Sequence, residues 1–353
     1  MAPLSLDDPG VRERLDREGM LAHLQAVPEQ CEQGWRGGIE MDVPADYADV
    51  RAVVVAGMGG SAMGADLVRA IVQDRLLVPM QVVRDYKLPA FVDDRTLVVL
   101  SSYSGTTGET LAAFRDARDR GAKLVALGGG GRLLDEIDGP AGRIQTRGMP
   151  RAAMAESMML LLGIMQACGL VDGTTDSAER LPGFATEQVR KFDVDIPEAD
   201  NPAKQLARSL AGRIPVVVGS AVLGPVAGRW KAQFNENAEQ WAVIDELPEF
   251  NHNTIQGIGL PAAAADLLHV LVLTAGVDGL RTQHQGRFGG QLVEETGIPV
   301  TFIEAEGDDR LRQAMSLVIF GDFVSYYLAM LNEVNPTDIP RIAELKARMD
   351  AGA

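Results

Sequence analysis

The sequence predicts an α/β protein built as two tandem, doubly wound parallel sheets with flanking helices. Three observations carry this. Runs such as "AVVVAG" (52–57) and "AKLVAL" (122–127) are apolar without alternation, which marks strands buried on both faces. Segments of helical periodicity separate these runs. The layout "VVVAGMGGSAMG" (53–64) returns as "VVVGSAVLGPVAG" (216–228), so the plan is repeated.

The elements follow in order. Residues 8–35 read as short amphipathic helices, with Met20, Leu21 and Leu24 facing inward. Strand 52–57 feeds a glycine cluster and a helix over 61–74. "MQVV" (80–83) is a short strand, and "TLVVLSSYSG" (96–105) is a strand ending in a polar loop. A helix over 107–120, the strand 122–127, a short helix over 131–138 and a short strand at 143–146 complete the first sheet. The helix 151–168 is apolar on most faces, as a central or interface helix would be. Residues 171–202 are polar, contain Gly and Pro, and read as a linker. The second half gives a strand, glycine loop and helix over 214–238, strands within 266–276 and 298–306, and helices over 281–296, 309–332 and 337–349. The expected organisation is a helical segment 1–40, a first domain 41–170, a linker 171–202 and a second domain 203–353.

Composition narrows the function. The chain has 353 residues, 46% apolar and 23% charged, and can bury a large core without staples. Its net charge of −16 argues against general affinity for nucleic acid or anionic membrane. A bound phosphate would need a few local donors to overcome that field. The two cysteines, Cys31 and Cys168, form no metal or redox motif, which fits a reducing cytoplasm. "MAPLSLDDPG" is not a secretory signal, and the longest apolar stretch, "MMLLLGIMQACGL" (158–170), is too short to span a bilayer.

The glycine cluster after the first strand is a phosphate cradle with more than one reading. Gly57-x-Gly59-x-x-Ala62 fits the dinucleotide fingerprint, and Asp85 lies near the place for an acidic ribose partner, so a nicotinamide dehydrogenase stays open. The competing reading uses "SSYSGTTGET". Ser102, Ser104, Thr106 and Thr107 crowd a loop that opens a helix, and helix N-termini suit anions. One hydroxyl there is an ordinary cap, but four exceed what a cap needs. With Ser61 at the neighbouring strand end, they would hold a compact phosphate monoester.

Other chemistry-bearing residues are scattered. Glu236 sits in "FNENAEQWA" between Asn235 and Asn237, where a lone helical Glu more often faces solvent. His23, His269 and His284 fit structural roles. His252, in the polar loop "EFNHNTIQG", is open to a catalytic or a structural role. Lys346, taken alone, is a solvated lysine on the last helix. Arg151 begins a helix, where the helix dipole disfavours a cation, and that misfit favours a ligand role.

"GMGGSAMG" with "SYSGTTGET" resembles a sugar isomerase (SIS) domain. Together with "PRAA" (150–153), "QFNENA" (233–238), "FNHNTIQG" (250–257) and "IAELKARM" (342–349), the ordered set is similar to the bifunctional phosphoglucose/phosphomannose isomerase family over nearly the whole chain. The resemblance implies two SIS-type domains and aldose–ketose isomerisation of hexose 6-phosphates through ring opening and a cis-enediolate. It implies substrate phosphate on Gly59, Gly60, Ser61, Ser102, Ser104 and Thr107. Glu236 would be the base that moves the proton between C1 and C2. His252 and Lys346 would open the ring, and Arg151 would stabilise the enediolate. It further implies an obligate homodimer with His252 crossing to the partner's site, and neither metal nor organic cofactor. Related loops read S-Y-S-G-N-T, so Thr106 stands where Asn is usual, with a modest effect expected. In the family a small polar residue near the lysine leaves room for both C2 epimers, and Thr337 is the nearest candidate. A phosphosugar-binding sensor without catalysis is the alternative reading.

Overall fold

A computed structural model describes residues 4–352. Packing groups them into two units. One comprises Ala26–Thr186 with Asp309–Ala314, and the other comprises the chain up to Gln25, Glu187–Asp308 and the chain from Met315 onward. The segment expected as one helical piece, 1–40, is thereby divided: α1 (Pro9–Leu15) and α2 (Met20–Gln25) belong to the C-terminal unit, and α3 (Val27–Ile39) to the N-terminal one.

The N-terminal unit runs β1 (Ala52–Gly57), α4 (Gly59–Val72), β2 (Met80–Val83), β3 (Thr96–Ser101), α5 (Gly108–Asp119), β4 (Lys123–Gly128), α6 (Arg132–Glu136), β5 (Ala141–Arg143) and α7 (Met154–Ala167). Its sheet is wholly parallel in the order β2-β1-β3-β4-β5. Every residue of β1 and β3 is buried, as unbroken Val/Leu runs require when helices cover both faces. The strand order reverses between β1 and β3, which leaves a crevice at their carboxyl ends.

The apolar helix expected to be central or at an interface, α7, is central: it is buried from Met154 to Met165. Glycines explain how it is covered. A Cβ on Gly34 or Gly38 of α3 would run into the α7 backbone at Glu156 and Leu160, and a Cβ on Gly163 would come within 2.9 Å of Gly38. The two helices therefore meet backbone to backbone, and α7 has no spare apolar face for a partner.

The C-terminal unit takes α8 (Thr175–Phe192) from Glu187 onward and continues through α9 (Pro202–Leu210), β6 (Ile214–Ser220), α10 (Gly224–Asn237), β7 (Val243–Leu247), α11 (Thr254–Gly257), α12 (Ala264–Leu267), β8 (Leu268–Thr274), α13 (Leu280–Glu294), β9 (Val300–Glu304), α14 (Arg310–Leu331) from Met315 onward, and α15 (Pro340–Gly352). Its parallel sheet has the order β7-β6-β8-β9, the first four places of the other sheet repeated. Two elements depart from expectation. The stretch read as a linker contains the eighteen-residue helix α8. β7 is a strand that the sequence reading does not contain.

Helix α14 is apolar over a longer span than the 158–170 stretch. It is the one helix among the described residues long and apolar enough to cross a bilayer, and 94% of its apolar window is buried in the protein. Inside it, Asp322 accepts Arg229 Nε at 3.0 Å and Nη2 at 2.8 Å, and both side chains are buried. Trp230 Nε1 donates to Leu317 O at 2.7 Å, over Gly321, where a Cβ would overlap the indole. These contacts clamp α10 onto α14.

Candidate active site

The N-terminal unit brings its phosphate candidates together at the β1/β3 crevice. Gly59, with φ +50°, starts α4 after β1, and Met58 at the N-cap supplies no side-chain hydrogen bond to the first turn. Gly60 lies against the turn Pro150–Ala153. A Cβ there would come 3.0 Å from Pro150 O and 3.2 Å from Arg151 N, so the bare glycine lets the Arg151 backbone reach the start of α4. Arg151 is 5% exposed. The loop and the cation therefore share one corner of the unit.

Thr107 occupies the N-cap of α5, yet its side chain makes no capping bond. It accepts a hydrogen bond from Ser102 Oγ at 2.9 Å instead. Ser102 Oγ is itself an acceptor for Gly105 N at 3.1 Å, and Ser61 Oγ accepts Tyr103 N at 3.3 Å. Ser104 Oγ accepts Thr106 N at 3.3 Å and Thr106 Oγ1 at 3.2 Å, and lies 3.5 Å from Thr107 Oγ1. Hydroxyl protons can now be followed. A backbone amide can only donate, so Ser61 and Ser104 already have a lone pair engaged and their protons turn elsewhere. Ser102 spends its proton on Thr107. That leaves a proton to give on Ser61 and at least one more on the Ser104–Thr107 pair, whose oxygens lie 3.5 Å apart, the polarity an anion requires. Thr106, in the usual Asn place, turns its hydroxyl into this cluster.

The sequence reading missed what holds the loop. Gly105 has φ +67°, and the 128–131 glycine run packs on it: a Cβ on Gly128 would come 2.5 Å from Ser102 O, one on Gly129 3.1 Å from Tyr103 O, and one on Gly131 would strike Ser104 O. Gly129 N and Leu133 N, each at 2.9 Å, donate to Tyr103 O and Gly105 O. Four glycines in "LGGGGRLL" were the available signal for such close backbone approach.

Asp85, the acidic residue the dinucleotide reading needs, lies past β2, is exposed, and accepts Tyr86 N at 2.6 Å.

The acid–base candidates lie in the C-terminal unit. Glu236 is half-buried near the end of α10. Its neighbours are structural: Asn235 Oδ1 accepts Ala242 N at 3.1 Å, and Asn237 Nδ2 donates to Ser325 Oγ at 3.0 Å. Together they fix the helix end and aim Glu236 into a cleft of about 370 Å³, lined also by Glu239, Asp338, Ile339, Arg341 and Ile342. Glu239 is exposed and forms part of this wall. Thr337 immediately precedes the lining segment and donates its N–H to Asn335 Oδ1 at 3.0 Å. Ile342 and Lys346 are four apart on α15, so Lys346 continues the cleft-lining face one turn further, exposed.

His252 is elsewhere in the same unit. It follows β7 in an exposed loop, with its N–H on Glu249 O at 2.8 Å. Asn251 Nδ2 donates to Gln285 O at 3.0 Å and Asn253 Nδ2 to Glu249 Oε1 at 2.7 Å, so both flanking amides serve the loop. Because α10 runs antiparallel to the strands, Glu236 ends beside the start of β7, whereas His252 lies past its far end. At about 3.3 Å per residue the five residues of β7 span roughly 15 Å, and the two residues lie toward its opposite ends.

Comparison with known proteins adds to this geometry. Residues 199–349 match the family model of the bacterial phospho-glucose isomerase C-terminal SIS domain. The bifunctional phosphoglucose/phosphomannose isomerase of Caldicellulosiruptor bescii is 35% identical, over 94% of this chain and 98% of its own length. That of Thermoplasma acidophilum is 31% identical, over 84% of this chain and 89% of its own. Among solved structures, a glucose-6-phosphate isomerase like protein from Thermus thermophilus superposes with a TM-score of 0.64 at 19% identity, over 98% of this chain and 99% of that one, a likeness of fold.

Proposed function

The chain belongs to the bifunctional phosphoglucose/phosphomannose isomerase family, and from that premise we propose that it interconverts fructose 6-phosphate with glucose 6-phosphate and mannose 6-phosphate. The chain is a phosphosugar isomerase. The observation that supports a phosphate ester as ligand is the hydroxyl cluster at the β1/β3 crevice, where backbone amides engage the acceptor sides of Ser61 and Ser104 and Ser102 donates to Thr107.

In this mechanism the phosphate accepts those hydroxyls and the amides around Gly59 and Gly60, with Ser102 fixing Thr107. Lys346 and His252 move protons at the ring oxygen and the anomeric hydroxyl, which opens the ring. Glu236 then takes the C1 proton of the ketose, electrons shift into the C1–C2 bond, and the negative charge settles on oxygen as a cis-enediolate. Arg151 stabilises that charge. With the O1 hydroxyl proton passed to O2, return of the carbon-bound proton to C2, on one face or the other, gives glucose or mannose 6-phosphate, and Thr337 beside the cleft leaves room for both. No step calls for a metal or an organic cofactor.

His252 serves the site of a partner subunit, in an obligate homodimer. The length of β7 between Glu236 and His252 supports this, because the two lie toward its opposite ends. A reducing cytoplasm as the place of action fits two free, buried cysteines.

The test is Glu236→Gln, which keeps shape and removes the base. Turnover of fructose 6-phosphate is expected to fall roughly 10²- to 10⁴-fold with KM little changed. A variant with near-normal turnover on glucose 6-phosphate and mannose 6-phosphate would remove Glu236 from the mechanism.

A further inference from the structure

We propose that Tyr103 and Glu156 are positioning residues for the phosphate, acting through Ser61; this rests on the phosphate-site reading given above. Glu156, at the start of α7, is 2% exposed. Its two oxygens accept the backbone N–H groups of Gln145 at 2.7 Å and Thr146 at 2.8 Å. A buried carboxylate spent on two amides fixes that stretch of chain firmly, because charge-assisted bonds are short and strong. The stretch in turn holds Tyr103, whose phenol donates to Thr146 O at 2.9 Å. Burial pushes the Tyr103 phenol above its ordinary pKa, so it remains a protonated donor.

Tyr103 transmits this anchoring to the site. Its backbone N–H is the group that occupies the acceptor side of Ser61 Oγ, at 3.3 Å. Its carbonyl is held by Gly129 N at 2.9 Å. With the amide in place, the Ser61 proton has to point away from Tyr103, as a donor. If the loop drifts, Ser61 is free to turn a lone pair toward the phosphate, and an attraction becomes a repulsion. Glu156, Thr146, Tyr103 and Ser61 thus form one chain of bonds from a helix in the unit's interior to the crevice. Neither Tyr103 nor Glu156 need touch the sugar.

Three variants test this with inorganic phosphate as the probe, its dissociation constant measured by calorimetry, beside kcat and KM on fructose 6-phosphate. Tyr103→Phe keeps the ring and loses only the bond to Thr146, and Glu156→Gln replaces an acceptor oxygen with a donor. Both are expected to raise the phosphate dissociation constant and KM roughly three- to tenfold, with kcat within about twofold of the parent. Ser61→Ala is expected to do the same at least as strongly. Phosphate affinity lost in Ser61→Ala but unchanged in Tyr103→Phe would overturn the positioning role and leave the phosphate site standing. Affinity unchanged in both would overturn the two together. A fall in thermal midpoint with unchanged phosphate affinity in Tyr103→Phe would make Tyr103 merely structural. Should Glu156→Gln fail to fold, the phenylalanine variant decides alone.

Discussion

Gly105→Ala puts the clamp on the hydroxyl loop to the test. Gly105 has φ +67°, and the added Cβ would come 2.9 Å from the Gly130 carbonyl carbon and 3.0 Å from Gly131 Cα, with the Gly130 oxygen closer still. Ordinary contacts begin near 3.4 Å. All three neighbours are backbone, so no side chain can swing away. A left-handed alanine costs about 1–2 kcal/mol, and overpacking adds roughly 1–3 kcal/mol. The sum, about 2–5 kcal/mol, is less than a typical domain's stability of about 5–15 kcal/mol, so the fold survives and the loop gives way. A shift of about 1 Å would stretch hydroxyl bonds now at 2.9 to 3.3 Å past useful length. If half of the strain appears in binding, KM for fructose 6-phosphate rises roughly five- to sixtyfold, at about 1.4 kcal/mol per decade. Steady-state kinetics and a thermal melt measure the two parts. Gly121→Ala is the control: its φ is +71° and its nearest neighbour lies 3.9 Å away, at the turn into β4, so it is strained but leaves the loop untouched. Equal KM values for the two variants, both matching the parent, would refute the clamp.

Two further outcomes concern the molecule at large. Burial pushes the thiol of Cys31 up to about 12 and that of Cys168 up to about 11, so neither is a thiolate at neutral pH. A thiol reagent at pH 8 should label neither in the native protein and both in denaturant, and prompt native labelling would contradict the packing of α3 on α7. Lys204 is fully buried, with Nζ on Asp7 Oδ1 at 2.8 Å, Val194 O at 2.9 Å and Ile196 O at 2.8 Å. Its hydrogen bond holds the Asp7 carboxyl below the usual aspartate range. A depressed carboxylate pKa stabilises the fold above the unfolded value and loses that contribution as pH falls through the folded one. In urea titrations, Lys204→Met should therefore lie furthest below the parent near neutrality, with the gap narrowing under about pH 4. A gap that widens on acidification would reverse the assignment.

What the sequence conveyed was governed by burial. β1 and β3 were plain because strands covered on both faces are written as unbroken Val/Leu. β7 was not, since an edge strand of five residues with Val243, Ile244 and Glu246 exposed carries no such run. In α8, Pro182 and Gly183 read as a break, although Ala178, Leu181, Ala185, Val189 and Phe192 line one buried face. Packing of that face outweighs the amide that proline lacks. α7 was visible as an apolar helix, but its cover depends on three glycines that periodicity does not register. At the site, the cluster of hydroxyls in "SYSGTT" was legible by residue type. Which of them donate was not, because proton direction is set by the amides of Tyr103, Gly105 and Thr106. The asparagines beside Glu236 and His252 are braces, with partners on α14, α13 and nearby turns that no sequence pattern announces.

The mixed origin of the C-terminal unit has a consequence in time. α1 and α2 leave the ribosome before the rest of their unit, and Lys204, which closes on Asp7, is separated from it by 197 positions. At about 5–20 residues per second, roughly 10–40 s pass between the two. During that interval the nearly contiguous N-terminal unit is largely synthesised, while Met20 and Leu24, both buried in the finished protein, await their partners. The segment holding α1 and α2 is thus made well before the rest of its unit and placed late.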